Sequence, residues 1–217
     1  MELIESLHAV AGFVVALTGL AQIVTKKGGI YHAVVGFTYL SAWLIVVVTG
    51  GYLGSPLITL FGFLGFYMAL TGWRFANRRR TRPKTPEKVI YWIGLIVATS
   101  TFIWGLSLAF QGHWMGIVAL IFGAIFLITC IVDILDFIFK KNIRRLSASR
   151  KQWMFEHMTR MYISYIAAMT AFAVINEIFI TPIYNWLMPT VVGTILIFFT
   201  RRQQEKKLLL REEKERG

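Results

Sequence analysis

Residues 114–139 read WMGIVALIFGAIFLITCIVDILDFIF. The run is apolar until Asp133 and Asp136, close to its end. A helix needs about 20 predominantly apolar residues to cross a bilayer core, and this stretch supplies them without a break. Its apolar residues are consecutive rather than alternating, so the pattern is that of a membrane helix and not of a barrel strand. Six further runs of the same kind lie at 4–25, 31–50, 55–74, 89–110, 154–180 and 184–200. Between them stand turn residues, such as KKGG at 26–29, GGYLGSP at 50–56, QGH at 111–113 and TPIYN at 181–185. Basic runs separate the others, at 74–88 and 140–151.

Composition agrees with the runs. Of 217 residues, 56% are apolar, and the mean hydropathy is +0.61. A soluble domain of this length has too little interior to hide so much apolar surface. The reading is an all-α, seven-helix membrane bundle over residues 1–200, followed by a charged tail at 201–217. The single cysteine, Cys130, excludes an internal disulfide.

The net charge of +12 is best read by its placement. Lys and Arg are retained on the cytoplasmic side of a membrane. The first connection holds Lys26 and Lys27. The third runs from Arg74 to Lys88 and the fifth from Lys140 to Lys151, and both are densely basic. The tail begins with Arg201 and Arg202, and Arg160 opens the sixth span. The second, fourth and sixth connections carry no basic residue. Seven crossings therefore put every basic residue toward one face. The expected topology has the N-terminus outside and the C-terminus in the cytoplasm, in a bacterial inner membrane. Anionic lipid headgroups are the expected partners of the basic loops. No base-reading or stacking element accompanies the charge, so nucleic acid is not an expected partner. The first run lacks a basic n-region and a small-residue cleavage site, so no cleavable signal is expected. Trp73, Trp92 and Trp153 near one interface, with Trp114 and Trp186 near the other, read as an aromatic belt.

One phrase occurs twice. Residues 8–13 read HAVAGF and residues 32–37 read HAVVGF. The chain has four histidines, and alternating span directions sort them by depth. His8 and His113 form an outer pair, His32 and His157 an inner pair. Gly12 and Gly36 each follow a histidine by four residues, on the same helix face. There they leave room for a flat group. Neutral imidazole is a common axial ligand of haem iron, so each pair is a candidate clamp for a haem b. At the inner pair, Arg74 and Arg160 are candidate partners for propionates. A transmembrane redox protein with an undefined redox partner is the first functional reading. Small residues at helical spacing also serve plain helix packing, so a structural or assembly role without cofactor stands beside it.

Asp133, Asp136 and Glu177 support a different reading. Ionisable groups within a membrane are costly and often mark an ion or proton path, which suggests a transporter or channel. The plainer alternative pairs Asp133 and Asp136 with Arg160 or Arg74 to lock helices together. A minor reading gathers His32, His157, Asp133 and Asp136 around zinc as a metal enzyme. No HExxH or other local ligand pair accompanies it.

The segment W-x-x-x-H-M-x-R-M-x-x-S-Y-I-A-A-x-T-A-F-x-V spans Trp153 to Val174, and K-K-G-G-x-x-H-x-x-x-G spans Lys26 to Gly36. Both resemble stretches of an uncharacterised family of small bacterial multi-pass membrane proteins. The resemblance implies an all-helical membrane protein and no particular activity. Each segment contains one of the two inner histidines.

Overall fold

The computed structural model describes residues 2–54, 56–78, 85–140 and 152–216. Seven helices account for most of them: α1 Glu2–Val24, α2 Ile30–Leu53, α3 Pro56–Arg78, α4 Thr85–Phe110, α5 Trp114–Phe137, α6 Gln152–Ile175 and α7 Pro182–Arg216. All seven are long and apolar enough to span a membrane. The seven spans expected from the sequence are these seven helices. Residues Arg79 to Lys84 and Lys141 to Lys151, which carry much of the basic signal, lie outside the described residues.

One helix end differs from expectation. Helix α6 stops at Ile175, before residue 180, because the chain turns there. Ile178 N–H donates to Ala173 O, and Glu177 takes a left-handed φ of 47°. That is the Schellman arrangement, which satisfies carbonyls left open at a helix end. Asn185 then pins the turn, accepting from the Phe179 N–H and donating to the Phe179 carbonyl. Helix α7, by contrast, runs on through the charged tail.

All connections but the one between α5 and α6 span six residues or fewer, as suits antiparallel neighbours. Helix α3 is central. Half of its spanning residues are buried, against 17% in α1 and in α7. It packs on α6, α2 and α4, while α5 packs closely on α4 and α1 on α2. An aromatic cluster packs near the starts of α3 and α7: Phe61 lies 4.3 Å from Phe122 and 5.1 Å from Trp186, between ring centres. Trp186 is therefore a core residue rather than part of the belt, whereas Trp92 and Trp114 remain exposed as the belt requires.

One end of the bundle gathers the ends of α1, α3 and α5 with the starts of α2, α4 and α6. Lys26, Lys27, Arg74, Lys88, Lys140 and Arg160 all lie at this end, as does the stretch of α7 around Arg201. It is called the basic end below.

Candidate functional site

The inner histidines meet. The rings of His32 on α2 and His157 on α6 lie 6.2 Å apart between centres, nearly perpendicular at 82°. His32 is the third residue of α2 and His157 the sixth of α6, and because successive helices alternate in direction, α2 and α6 run parallel with both starts at the basic end. Neither position predicts this alone, since α2 and α6 are distant in sequence.

Each ring has a distinct setting. His157 Nδ1 lies 2.8 Å from the carbonyl oxygen of Gly72 on α3. A carbonyl can only accept, so Nδ1 carries the proton. In the neutral ring, Nε2 then keeps its lone pair. A backbone carbonyl on one ring nitrogen is the usual way a metal-binding histidine is held in orientation. His32 Nδ1 is buried with no hydrogen-bond partner among the described residues. Its backbone is fixed instead: Gln22 on α1 donates to the His32 carbonyl at 2.7 Å. Across the same interface, Tyr39 and Ser164 share a buried hydrogen bond of 2.9 Å between α2 and α6.

The pair borders a cleft of about 130 Å³. Helices α1 and α2 form one wall, α6 and α7 the other. Met154, Met158 and Met161 of α6 share the lining, and no carboxylate or thiol contributes to it. Lys27 stands at the rim. Its ammonium donates to the Gln22 carbonyl and, at 2.6 Å, to that of Ile23, closing the C-terminus of α1. Partial burial lowers its pKa below the ordinary lysine value.

The acidic residues go elsewhere. Asp133 is fully buried and accepts from both terminal guanidinium nitrogens of Arg160, at 2.6 and 3.0 Å. Tyr67 donates to it at 2.6 Å, and Thr71 accepts from Arg160 at 2.5 Å. This network ties α5, α6 and α3 together, as the plainer reading of the acids anticipates. Arg74 turns toward α4, with Nε 3.4 Å from Glu87, and its guanidinium lies 4.3 Å over the Phe137 ring. Asp136 is buried beside this region on α5. Among the described residues no three His, Cys, Asp or Glu side chains gather as a metal site. The zinc set of His32, His157, Asp133 and Asp136 is thus not assembled. Glu177 is exposed in its capping turn.

The outer histidines have separate settings. His8 lies on α1 with Nδ1 2.8 Å from the Thr49 hydroxyl of α2. His113 is exposed and joins α4 to α5: its N–H donates to Leu108 O and its carbonyl accepts from Gly116. Gly112, at φ 76°, makes that turn possible. Replacing His8 with Ala should cost about 0.6–1 kcal/mol, the scale of one hydrogen bond between membrane helices. Thermal unfolding in detergent measures that cost, and metal content should not change.

Sequence reasoning did not single out Met154 and Met158, Gln22, Tyr39, Tyr67 or Thr71. A signal existed for the methionines. Positions 154, 157, 158 and 161 recur at helical spacing, so they share a face with His157. No family model matches the chain, and no curated protein or solved structure matches it. The resemblance at Trp153–Val174 and Lys26–Gly36 therefore identifies no family.

Proposed function

We propose that this multi-pass membrane protein holds a redox-active metal centre between His32 and His157. The observation that carries the reading is the imidazole pair itself, 6.2 Å apart, with one ring already oriented by a backbone carbonyl. With metal–nitrogen bonds of about 2 Å and roughly 1 Å more to each ring centre, two imidazoles on opposite sides of one metal sit about 6 Å apart. The basic end faces the cytoplasm in this proposal, because Lys and Arg concentrate there. The centre then lies in the inner leaflet of a bacterial membrane, where it would exchange single electrons with a partner.

Haem b and a bare ion both suit two imidazoles, but they differ in the room they need. The cleft is close in size to a cavity of about 150 Å³ that takes up benzene. A porphyrin is several times larger. The space beside Gly36 is also taken, since a Cβ there would lie 3.3 Å from the Gln22 amide nitrogen. A haem therefore requires α1 and α2 to move away from α6. A bare ion requires no such movement.

Purified full-length protein tests the reading through metal analysis and oxidised and reduced optical spectra. About one equivalent of transition metal, bare or as haem, is expected in the wild type. His32→Ala and His157→Ala should each reduce it to roughly a tenth, since every lost ligand weakens a site by an order of magnitude or more. A wild type that stays free of metal and haem after loading with both would defeat the proposal.

A further inference from the structure

We infer that the cleft is a copper(I) site in which thioethers of α6 complete a shell begun by His32 and His157. The inference rests on the imidazole pair of the proposed function and names its metal. Three observations support it.

The first is ligand softness. Met154, Met158 and Met161 border the same cleft as both imidazoles. Thioether sulfur selects copper(I) among the common biological metals, and imidazole accepts it readily. These methionines are not sealed in the core. All three are only half-buried at the cleft, whereas Met68 of α3 is wholly enclosed. Packing alone accounts for Met68. It does not account for Met154 and Met158 on the face that also carries His157, whereas Met161 packs on the core as well.

The second is charge. The lining offers neutral ligands only, and the nearest formal charge at the rim is the Lys27 ammonium. The cost of taking an ion out of water grows with the square of its charge, so a divalent ion costs about four times as much as a monovalent one. Zinc and iron(II) sites usually offset that cost with thiolates or carboxylates, and here the nearby carboxylates, Asp133 and Glu156, both lie within salt-bridge distance of Arg160. A monovalent soft cation is the ion that a neutral sulfur and nitrogen shell can hold.

The third is the unpartnered nitrogen. His32 Nδ1 is buried without a hydrogen-bond partner among the described residues. Buried polar atoms are nearly always satisfied, and an unpaired one at the wall of a cleft calls for a partner such as a water or an ion. In His157, Nδ1 is taken by the Gly72 carbonyl, so Nε2 is the nitrogen left to bind an ion.

Anaerobic titration of the purified full-length protein with copper(I), against bathocuproine disulfonate as competitor, tests the inference. One copper(I) per chain is expected, and X-ray absorption should show mixed nitrogen and sulfur neighbours. Met158→Leu and Met154→Leu keep volume and apolarity, so the fold should tolerate them. Together they should weaken copper(I) by about tenfold or more. Copper(I) bound with unchanged affinity in that double variant overturns the thioether site and leaves the imidazole pair standing. A haem spectrum that depends on His32 and His157 overturns the copper assignment in the same way. A different bare transition metal held by the two histidines overturns the copper assignment alone, and absence of every transition metal and of haem overturns the inference together with the proposed function.

Discussion

Arg160→Ala should destabilise the bundle by about 3–5 kcal/mol, the usual cost of stranding one member of a buried ion pair. Asp133 has no exposed surface, and Arg160 is nearly as enclosed. Removing the guanidinium takes away two of the hydrogen bonds to Asp133 and leaves Thr71 without its donor. An exposed pair would be worth about 0–1 kcal/mol, so the magnitude itself discriminates. Unfolding temperature in detergent should fall by many degrees, and a loss below about 1 kcal/mol would show that the pair is solvated. Tyr67→Phe should cost less, about 1.5–3 kcal/mol for one hydrogen bond to a charged group. The double variant Asp133→Leu, Arg160→Met should recover much of the Arg160→Ala loss, because Asp133 is no longer left as a stranded buried charge. This lock matters to the cleft. Arg160 lies three residues after His157, so the pair also fixes the register with which α6 presents its imidazole to α2.

The spans were legible in the sequence because bilayer thickness sets a length that composition alone reveals. The basic end was legible for a similar reason, since charge placement follows connection order. Depth was legible too: His32 and His157 fall at one level once span directions alternate. Adjacency was not. Which helices touch depends on side-chain fit, and no local pattern states that α2 meets α6 while α1 lies away from the α4–α5 turn. The same depth argument therefore joins His32 to His157 but fails to join His8 to His113. Glu177 shows another limit. Its position within an apolar run suggests an intramembrane acid, yet Asn176 and Glu177 close the helix. Asp133 and Arg160 lie on different helices, and their pairing was only one of several open combinations. The repeated HAVAGF and HAVVGF phrases have divergent surroundings. Gly12 faces open space, whereas Gly36 faces the Gln22 side chain.

The close fit of α4 and α5 had no sequence signal of its own, and it makes Gly105→Leu the second severe substitution. A Cβ at Gly105 would lie 2.8 Å from the Leu120 nitrogen and 3.0 Å from the Ala119 carbonyl carbon. Gly116 meets α4 in the same way, with a Cβ 2.4 Å from the Ala109 nitrogen. The atoms in the way are backbone, so no rotamer change makes space. The helices must separate instead. Within a membrane, helix association draws on van der Waals packing rather than on hydrophobic burial, so separation weakens contacts along the whole seam. Overpacking of a core costs typically 1–3 kcal/mol, and more where backbone must move; Gly105→Leu belongs at or above about 3 kcal/mol. Gly12→Ala gives the matched control. Nothing lies within 4 Å of a Cβ at that position, so replacing a mid-helix glycine should stabilise by roughly 0.5–1 kcal/mol. Unfolding temperature and monodisperse yield should therefore move in opposite directions for the two variants. Equal tolerance of both would mean that α4 and α5 do not touch at Gly105, and that α4 is held to the bundle by its contacts with α3 at Glu87 and Gly94.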